Sequence, residues 1–137
     1  MLETTLSSLD GLPPFLAYFA VAIVLVLIFV RLYTWVTPQD ELALIRANNP
    51  AAALAFGGAL IGFALPLSSA ITHSLSLADC AIWGAVALIV QVLTFVVLRL
   101  SLKQLPERIN NGEIATGILS AATAIAVGLI NAACMSY

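Results

Sequence analysis

The residues best able to do chemistry in this sequence are uncharged polar side chains that interrupt long apolar stretches. They are Gln91, Thr116, Ser120, Thr123 and Asn131. Amides and hydroxyls inside a membrane hydrogen-bond between helices, each contributing about 0.6–2 kcal/mol. The same groups can also line a narrow passage for a solute. We favour packing between helices and keep a polar lining as the alternative.

Patterns typical of enzymes and metal centres are absent from the sequence. It contains no G-x-S-x-G elbow, no H-E-x-x-H pair and no P-loop. No ionisable residue lies deep in an apolar stretch, which argues against a proton-coupled transporter. A metal centre needs three or four ligands, and the spacing of His73, Cys80 and Cys134 fits no such pattern. We therefore expect no enzyme activity, no catalytic residue, no metal, no cofactor and no nucleic-acid partner.

Four apolar blocks must position these polar groups, because 62% of the 137 residues are hydrophobic and only 9% are charged. The blocks cover residues 14–35, 50–72, 80–100 and 113–134. A helix needs about 20 apolar residues to cross a bilayer. An apolar soluble bundle is the alternative, but residues 22–30 lack the polar face that it requires. We predict an all-α integral membrane protein, a single domain over residues 1–137 with four transmembrane helices.

The basic residues predict how these helices are oriented. All five lie near the ends of the first and third blocks or in the connections that follow, and they are Arg31, Arg46, Arg99, Lys103 and Arg108. Cytoplasmic loops collect Lys and Arg. We therefore predict that loops 37–49 and 101–112 are cytoplasmic and that both termini are periplasmic. Cys80 and Cys134 then lie near the oxidising side, where a disulfide is the alternative to two free thiols.

Residues at the two predicted cytoplasmic loops look like helix caps. Asn49 precedes Pro50, and Asn111 lies two residues before Glu113, so we predict that each asparagine caps the helix that follows. A ligand site at these amides is the less favoured interpretation. In the longer loop, residues 37–40 (Thr-Pro-Gln-Asp) resemble the start of a short helix. Residues 37–49 are therefore either a solvated connector or a docking surface for a cytoplasmic protein.

The chain also contains a candidate internal repeat. At an offset of 62, residues 46–50 (RANNP) align with residues 108–112 (RINNG), and the alignment continues without gaps to residues 70 and 132. We predict two tandem helical hairpins, residues 14–72 and 80–134, that cross the membrane in the same orientation.

Small residues recur every four positions in the second and fourth blocks. One stripe is Gly58, Gly62, Pro66 and Ala70, and the other is Ser120, Ala124, Gly128 and Ala132. Lipid is as apolar as leucine, so helices associate in a bilayer through close backbone approach, which small residues allow. We predict that the second and fourth helices are the inner ones and that the first and third face lipid. The stripes leave open whether the contact lies within one chain or between chains.

Three segments carry a resemblance to a known family: NNPAAALAFGGALIGFALPLSSA at 48–70, AIWGAVALIVQ at 81–91 and NAACMSY at 131–137. They resemble the YjfL-like family of bacterial inner-membrane proteins, a domain of unknown function numbered 350. The resemblance covers essentially the whole chain. It implies a multi-pass protein of the inner membrane with a duplicated unit, in an envelope-stress or polyamine-linked setting. It implies no catalytic or binding residue.

Two functional hypotheses follow from the sequence. The first is an oligomeric channel- or transport-like module that passes a small solute or ion along uncharged polar groups. The second is a membrane scaffold or adaptor that recruits a cytoplasmic envelope-stress partner through residues 37–49. We expect a homo-oligomer in the lipid bilayer, because a lone unit of four helices has little mass outside the membrane with which to act.

Overall fold

A computed structural model describes residues 1–37, 41–102 and 104–135. These residues form seven helices: α1 (Leu2–Leu9), α2 (Leu12–Val36), α3 (Glu41–Arg46), α4 (Pro50–His73), α5 (Leu77–Ser101), α6 (Leu105–Asn110) and α7 (Ile114–Cys134). Four stretches are long and apolar enough to cross a membrane, namely residues 2–36, α4, α5 and α7. The prediction of an all-α chain with four membrane-spanning helices is confirmed. The apolar blocks do not predict helix α1, in which every residue is exposed.

The spanning helices pack as two parallel pairs. In the first pair, Gly84 of α5 lies beside Leu25 of α2, and Arg99 Nη1 lies 3.5 Å from the Val36 carbonyl oxygen. In the second pair, Gly117 of α7 lies against Ala51 of α4, and Ser69 Oγ donates to the Ala132 carbonyl at 3.0 Å. We call the end of the bundle that holds α3 and α6 the basic end. The arginines at this end are Arg31, Arg46, Arg99 and Arg108.

Helix α4 is the centre of the bundle and packs against α2, α5 and α7. Ten of its residues are buried, including all four of its predicted packing positions. The fourth spanning helix, α7, is predicted to be an inner one, yet within this chain it is more exposed than α5. The buried residues of α7 are Thr116, Gly117, Ser120, Ala124 and Gly128, and most of its remaining surface is exposed. Its small residues bury one face only, because α7 packs against α4 and α5 at the edge of the bundle.

An aromatic cluster holds α2 against the rest of the bundle. The Phe29 ring stacks on Phe63 of α4 with centroids 4.7 Å apart. The Tyr33 ring lies edge-on to Phe56 of α4 and to Phe95 of α5, at 5.6 and 5.1 Å. Such pairs contribute about 0.5–1.5 kcal/mol each beyond the area that they bury. Large side chains therefore join α2 to α4, whereas small ones join α4 to α7.

Two turns of the same geometry close the basic end. After α3, Asn48 has a φ of 66°, the Asn48 N–H donates to the Ile45 carbonyl, and the Asn49 N–H donates to Leu44. After α6, Gly112 has a φ of 76° and forms the corresponding bond, to Ile109. Both turns are Schellman motifs, in which glycine or asparagine adopts the left-handed conformation after a helix. The equivalent residues of the two turns, Asn48 and Gly112, are 64 positions apart, whereas the sequence alignment has an offset of 62.

Candidate functional site

Gln91 of α5 and Ser120 of α7 meet at a small cavity in the interior of the bundle. Their exposed fractions are only 3% and 6%. The cavity has a volume of about 20 Å³, and every spanning helix contributes to its wall. The lining residues are Tyr33, Ala55, Ala59, Gln91, Thr94, Phe95, Leu98, Ser120 and Ala124. We call the four polar ones, Tyr33, Gln91, Thr94 and Ser120, the polar centre.

Small residues on α4 make room for the Gln91 side chain. A Cβ atom added at Gly62 would lie 3.1 Å from Gln91 Oε1, so the amide rests against bare backbone. Ala59 and Ala55, one and two turns closer to the basic end, form the adjoining part of the cavity wall. The small residues of α4 therefore have two consequences: they bring α7 close, and they admit a polar side chain from α5.

Two atoms of the polar centre lack hydrogen-bond partners among the described residues. Gln91 Nε2 and Ser120 Oγ are both buried and unpaired. Thr94 differs, because its Oγ1 donates to the Val90 carbonyl of its own helix at 2.8 Å. A buried polar group without a partner costs about 1–3 kcal/mol. The cavity therefore has polar groups on its wall that are able to bind an occupant.

The other three predicted lining residues lie outside the cavity. Thr116 is buried, and its Oγ1 donates to Glu113 Oε2 at 3.3 Å. Thr123 is half-buried and donates to the Leu119 carbonyl of its own helix at 2.8 Å. Asn131 is half-buried, and its Nδ2 has no partner among the described residues. Within one chain, the five predicted residues therefore do not form one continuous lining.

Sequence reasoning missed Tyr33 and Thr94 as members of the polar centre. A tyrosine near the end of an apolar block is typical of the membrane interface, which hides its place in the interior. The signal that identifies it is its spacing, since Leu25, Phe29 and Tyr33 recur every four residues and are the buried residues of α2. Thr94 gives a similar signal, one turn from Gln91 on α5.

The predicted stripes of small residues pack against each other within the chain. A Cβ atom added at Gly58 would overlap Ala121, and one added at Gly62 would overlap the Ala124 backbone. Gly128 lies against the Gly62 carbonyl oxygen, which Pro66 deprives of its helical donor. A Cα–H of Gly128 therefore faces that oxygen, a weak hydrogen bond typical of close helix pairs. The remaining predicted packing residues are Ala70, which is buried, and Ala132, which is half-buried.

Asn49 links the two short connections at the basic end. Its Oδ1 accepts from the Ala52 N–H at 3.1 Å, so Asn49 is the N-cap of α4 as its position before Pro50 predicts. Its Nδ2 donates to the carbonyls of Ile109 and Asn110 at 2.9 and 3.2 Å, at the end of α6. No pattern in the sequence indicates this second role.

The predicted cap at Asn111 is wrong. Asn111 is the exposed C-cap residue of α6, and Glu113 is the N-cap of α7, without a side-chain capping bond. The turn at Gly112 ends α6. The N-cap of α7 therefore falls at Glu113, two residues after the Asn111 that the alignment pairs with Asn49. The backbone geometry of this turn therefore decides which residue is the N-cap, and the Asn-Asn pair shared by the two segments does not predict it.

The two cysteines do not form the disulfide that the predicted orientation allows. The thiols of Cys80 and Cys134 are both free, the first buried and the second exposed. No group of three His, Cys, Asp or Glu side chains that could hold a metal occurs in the described part of the chain. Residues 37–40 are the predicted start of a short helix in loop 37–49, and positions 38–40 of that start lie outside the described residues. Lys103 lies outside them as well.

A family model for a Domain of Unknown Function (DUF350) matches residues 7–135 of the chain. The chain belongs to the DUF350 family. Two relatives, each named UPF0719 inner membrane protein YjfL, come from Escherichia coli strain K12 and from Escherichia coli O157:H7. Each is 43% identical over 129 residues, which cover 94% of this chain and 98% of the relative. The resemblance seen in the sequence is thereby confirmed, and no solved structure matches the chain.

Membership of the DUF350 family agrees with the architecture. The relatives are named as inner membrane proteins, and this chain has four helices long and apolar enough to span a membrane. The chain is therefore a multi-pass membrane protein. The internal repeat and the homo-oligomer stay predictions.

Proposed function

We propose that this DUF350 chain is an oligomeric transport-like module of the bacterial inner membrane, which passes a small solute or ion through the polar centre. The observation that carries the proposal is the cavity shared by Gln91, Ser120 and all four spanning helices. Polar groups are costly inside a membrane bundle, and a cavity that takes polar residues from α2, α5 and α7 is what a passage through the bundle requires.

The cavity supports a closed form of such a module. A volume of about 20 Å³ admits one species of the size of water, so passage requires helices to separate. A groove of about 310 Å³ between α5 and α7 lies next to the cavity and shares Thr94 and Leu98 with it. The groove also carries the hydroxyl residues Ser101 and Thr123. Thr94 and Leu98 therefore lie between the polar centre and the groove, and a second copy over the groove would extend its polar surface.

Flux through liposomes tests this proposal. Purified protein is reconstituted, and flux is measured for sodium, potassium and glycerol, with dye or light-scattering readouts. We expect flux of at least one probe, lowered roughly tenfold by Gln91→Leu, which corresponds to about 1.4 kcal/mol in the barrier. Asn131→Leu removes an amide that lies outside the cavity and is expected to change flux less than twofold, roughly 0.4 kcal/mol on the same scale. Absence of flux for all three probes would refute the transport-like function.

The second candidate function is the scaffold or adaptor, and the surface of α3 favours it. Leu42 is exposed beside the exposed Arg46, in the predicted cytoplasmic loop 37–49. Arginine is enriched at protein–protein interfaces, and an exposed leucine beside it adds apolar area that a partner could bury. The adaptor predicts that Leu42→Glu releases a soluble protein that co-purifies with the chain and leaves liposome flux unchanged.

We also propose that the basic end is cytoplasmic and that the termini are periplasmic. In a Cys80→Ala, Cys134→Ala background, Glu3→Cys is expected to react with a membrane-impermeant maleimide in intact spheroplasts. Glu107→Cys, at the basic end, is expected to react only after permeabilisation. Both positions are exposed, so burial does not bias the comparison. The reverse labelling pattern would contradict the orientation that the positive-inside rule gives.

A further inference from the structure

We propose that the polar centre is a binding site for a single water molecule, held by Gln91 and Ser120. Gln91 Nε2 and Ser120 Oγ are more than nine-tenths buried, lack partners among the described residues and belong to residues that line the same cavity. Buried polar atoms of this kind are usually satisfied by ordered water. A fixed water can join helices whether or not a solute passes, so the site does not depend on transport.

The available donors and acceptors match those of water. The Gln91 amide nitrogen donates, and the Ser120 hydroxyl donates or accepts. Thr94 Oγ1 gives its hydrogen to Val90 but keeps lone pairs that accept, and the Tyr33 hydroxyl is a further donor on the cavity wall. A buried water makes about three hydrogen bonds. The four residues of the polar centre can supply them.

Size and charge favour water over an ion. A cavity needs about 10–15 Å³ to hold one water, and this one has about 20 Å³. Every residue on the cavity wall is uncharged, and an unpaired ion in an apolar interior is far more costly than a neutral molecule. An ion would have to lose its hydration shell to fit, and the residues on the cavity wall offer only neutral dipoles in exchange.

The site lies where two parts of the fold meet. Tyr33 belongs to the aromatic cluster between α2, α4 and α5, and Ser120 belongs to the small-residue face of α7. A water bound between α5 and α7 therefore adds a polar link to the direct packing of these two helices. A bridging water is nearly as favourable as a direct hydrogen bond.

Nuclear magnetic resonance on the full chain in lipid nanodiscs tests the inference. We expect magnetisation transfer from a long-lived water to the Gln91 side-chain NH₂, assigned by its loss in Gln91→Leu. Ala59→Val adds two methyl groups to the cavity wall and is expected to reduce the transfer at least tenfold. Thr123→Val removes a hydroxyl outside the cavity and is expected to leave the transfer unchanged.

Three outcomes would overturn the inference. One is the absence of water transfer to Gln91, which would show a dry cavity. Another is a Gln91 signal that shifts when sodium is exchanged for potassium or N-methylglucamine, which would show an ion in place of water. The last is unchanged transfer in a folded Ala59→Val protein, which would place the water elsewhere. Ser120→Ala, which reduces volume and does not crowd the core, is expected to shorten the lifetime of the bound water.

Discussion

Gly62→Ala is expected to destabilise the chain by about 3 kcal/mol, a large effect for a single methyl group. The added Cβ would overlap the Ala124 carbonyl oxygen and lie 2.7 Å from the Ala124 carbonyl carbon. These are backbone atoms, so relief requires α4 and α7 to move apart along a contact that small residues keep close. The measurement is the free energy of unfolding in mixed micelles of mild detergent and dodecyl sulfate.

Gly57→Ala is the matched control for this prediction. Gly57 lies in the same helix, but a Cβ atom added there meets nothing within 4 Å. Alanine is a better helix former than glycine, so the change is expected to be neutral or to stabilise the chain by up to about 1 kcal/mol. Equal losses from the two substitutions would show that glycine matters for the helix itself and not for contact with α7.

Gly128→Ala probes the same contact from the other helix. Its added Cβ would overlap the Gly62 carbonyl oxygen, so we expect a loss of similar size, about 2–4 kcal/mol. Both substitutions separate α4 from α7 at one place, and such neighbours are not additive. The double variant is therefore expected to lose at least about 1 kcal/mol less than the sum of the two single losses.

Much of the fold could be predicted from the sequence, because membrane-length apolar blocks leave few alternatives. The stripes on α4 and α7 were visible in the sequence too. Their partner was not, since small residues at four-residue spacing serve contacts within a chain and between chains equally well. The distinction between Gly57 and Gly62 depends on which helix face meets α7, and a count of glycines does not contain that information.

The sequence predicted which types of residue form the polar centre, but it did not predict which individual residues meet there. Gln91 and Ser120 are recognisable as polar groups in apolar helices. That these two meet, while Thr123 and Asn131 stay outside the cavity, depends on how α5 and α7 are rotated about their axes. That rotation follows from the packing of α7 on α4 and of Phe95 on Tyr33. Such contacts join residues far apart in the sequence and leave no local pattern.

Asn49→Ala is expected to destabilise the chain by about 2–4 kcal/mol, a loss as large as that from Gly128→Ala. The substitution removes the N-cap of α4, which contributes about 1 kcal/mol. It also removes two hydrogen bonds to the end of α6, each contributing about 0.5–1.5 kcal/mol. The free energy of unfolding in mixed micelles measures the loss. Asn111→Ala is the control, because Asn111 is exposed and caps nothing at α7, so a loss below about 0.5 kcal/mol is expected.

Asn49→Asp separates the two roles of this side chain. Aspartate is as good an N-cap as asparagine, and its charge is favourable at a helix N-terminus. It has no donor, however, and places a carboxylate against the carbonyl oxygens of Ile109 and Asn110. If the bridge to α6 matters as we infer, Asn49→Asp loses at least half as much stability as Asn49→Ala. Full stability in Asn49→Asp would show that Asn49 contributes only as a helix cap. A loss in Asn111→Ala equal to that in Asn49→Ala would support the symmetric pair of caps that the sequence suggested.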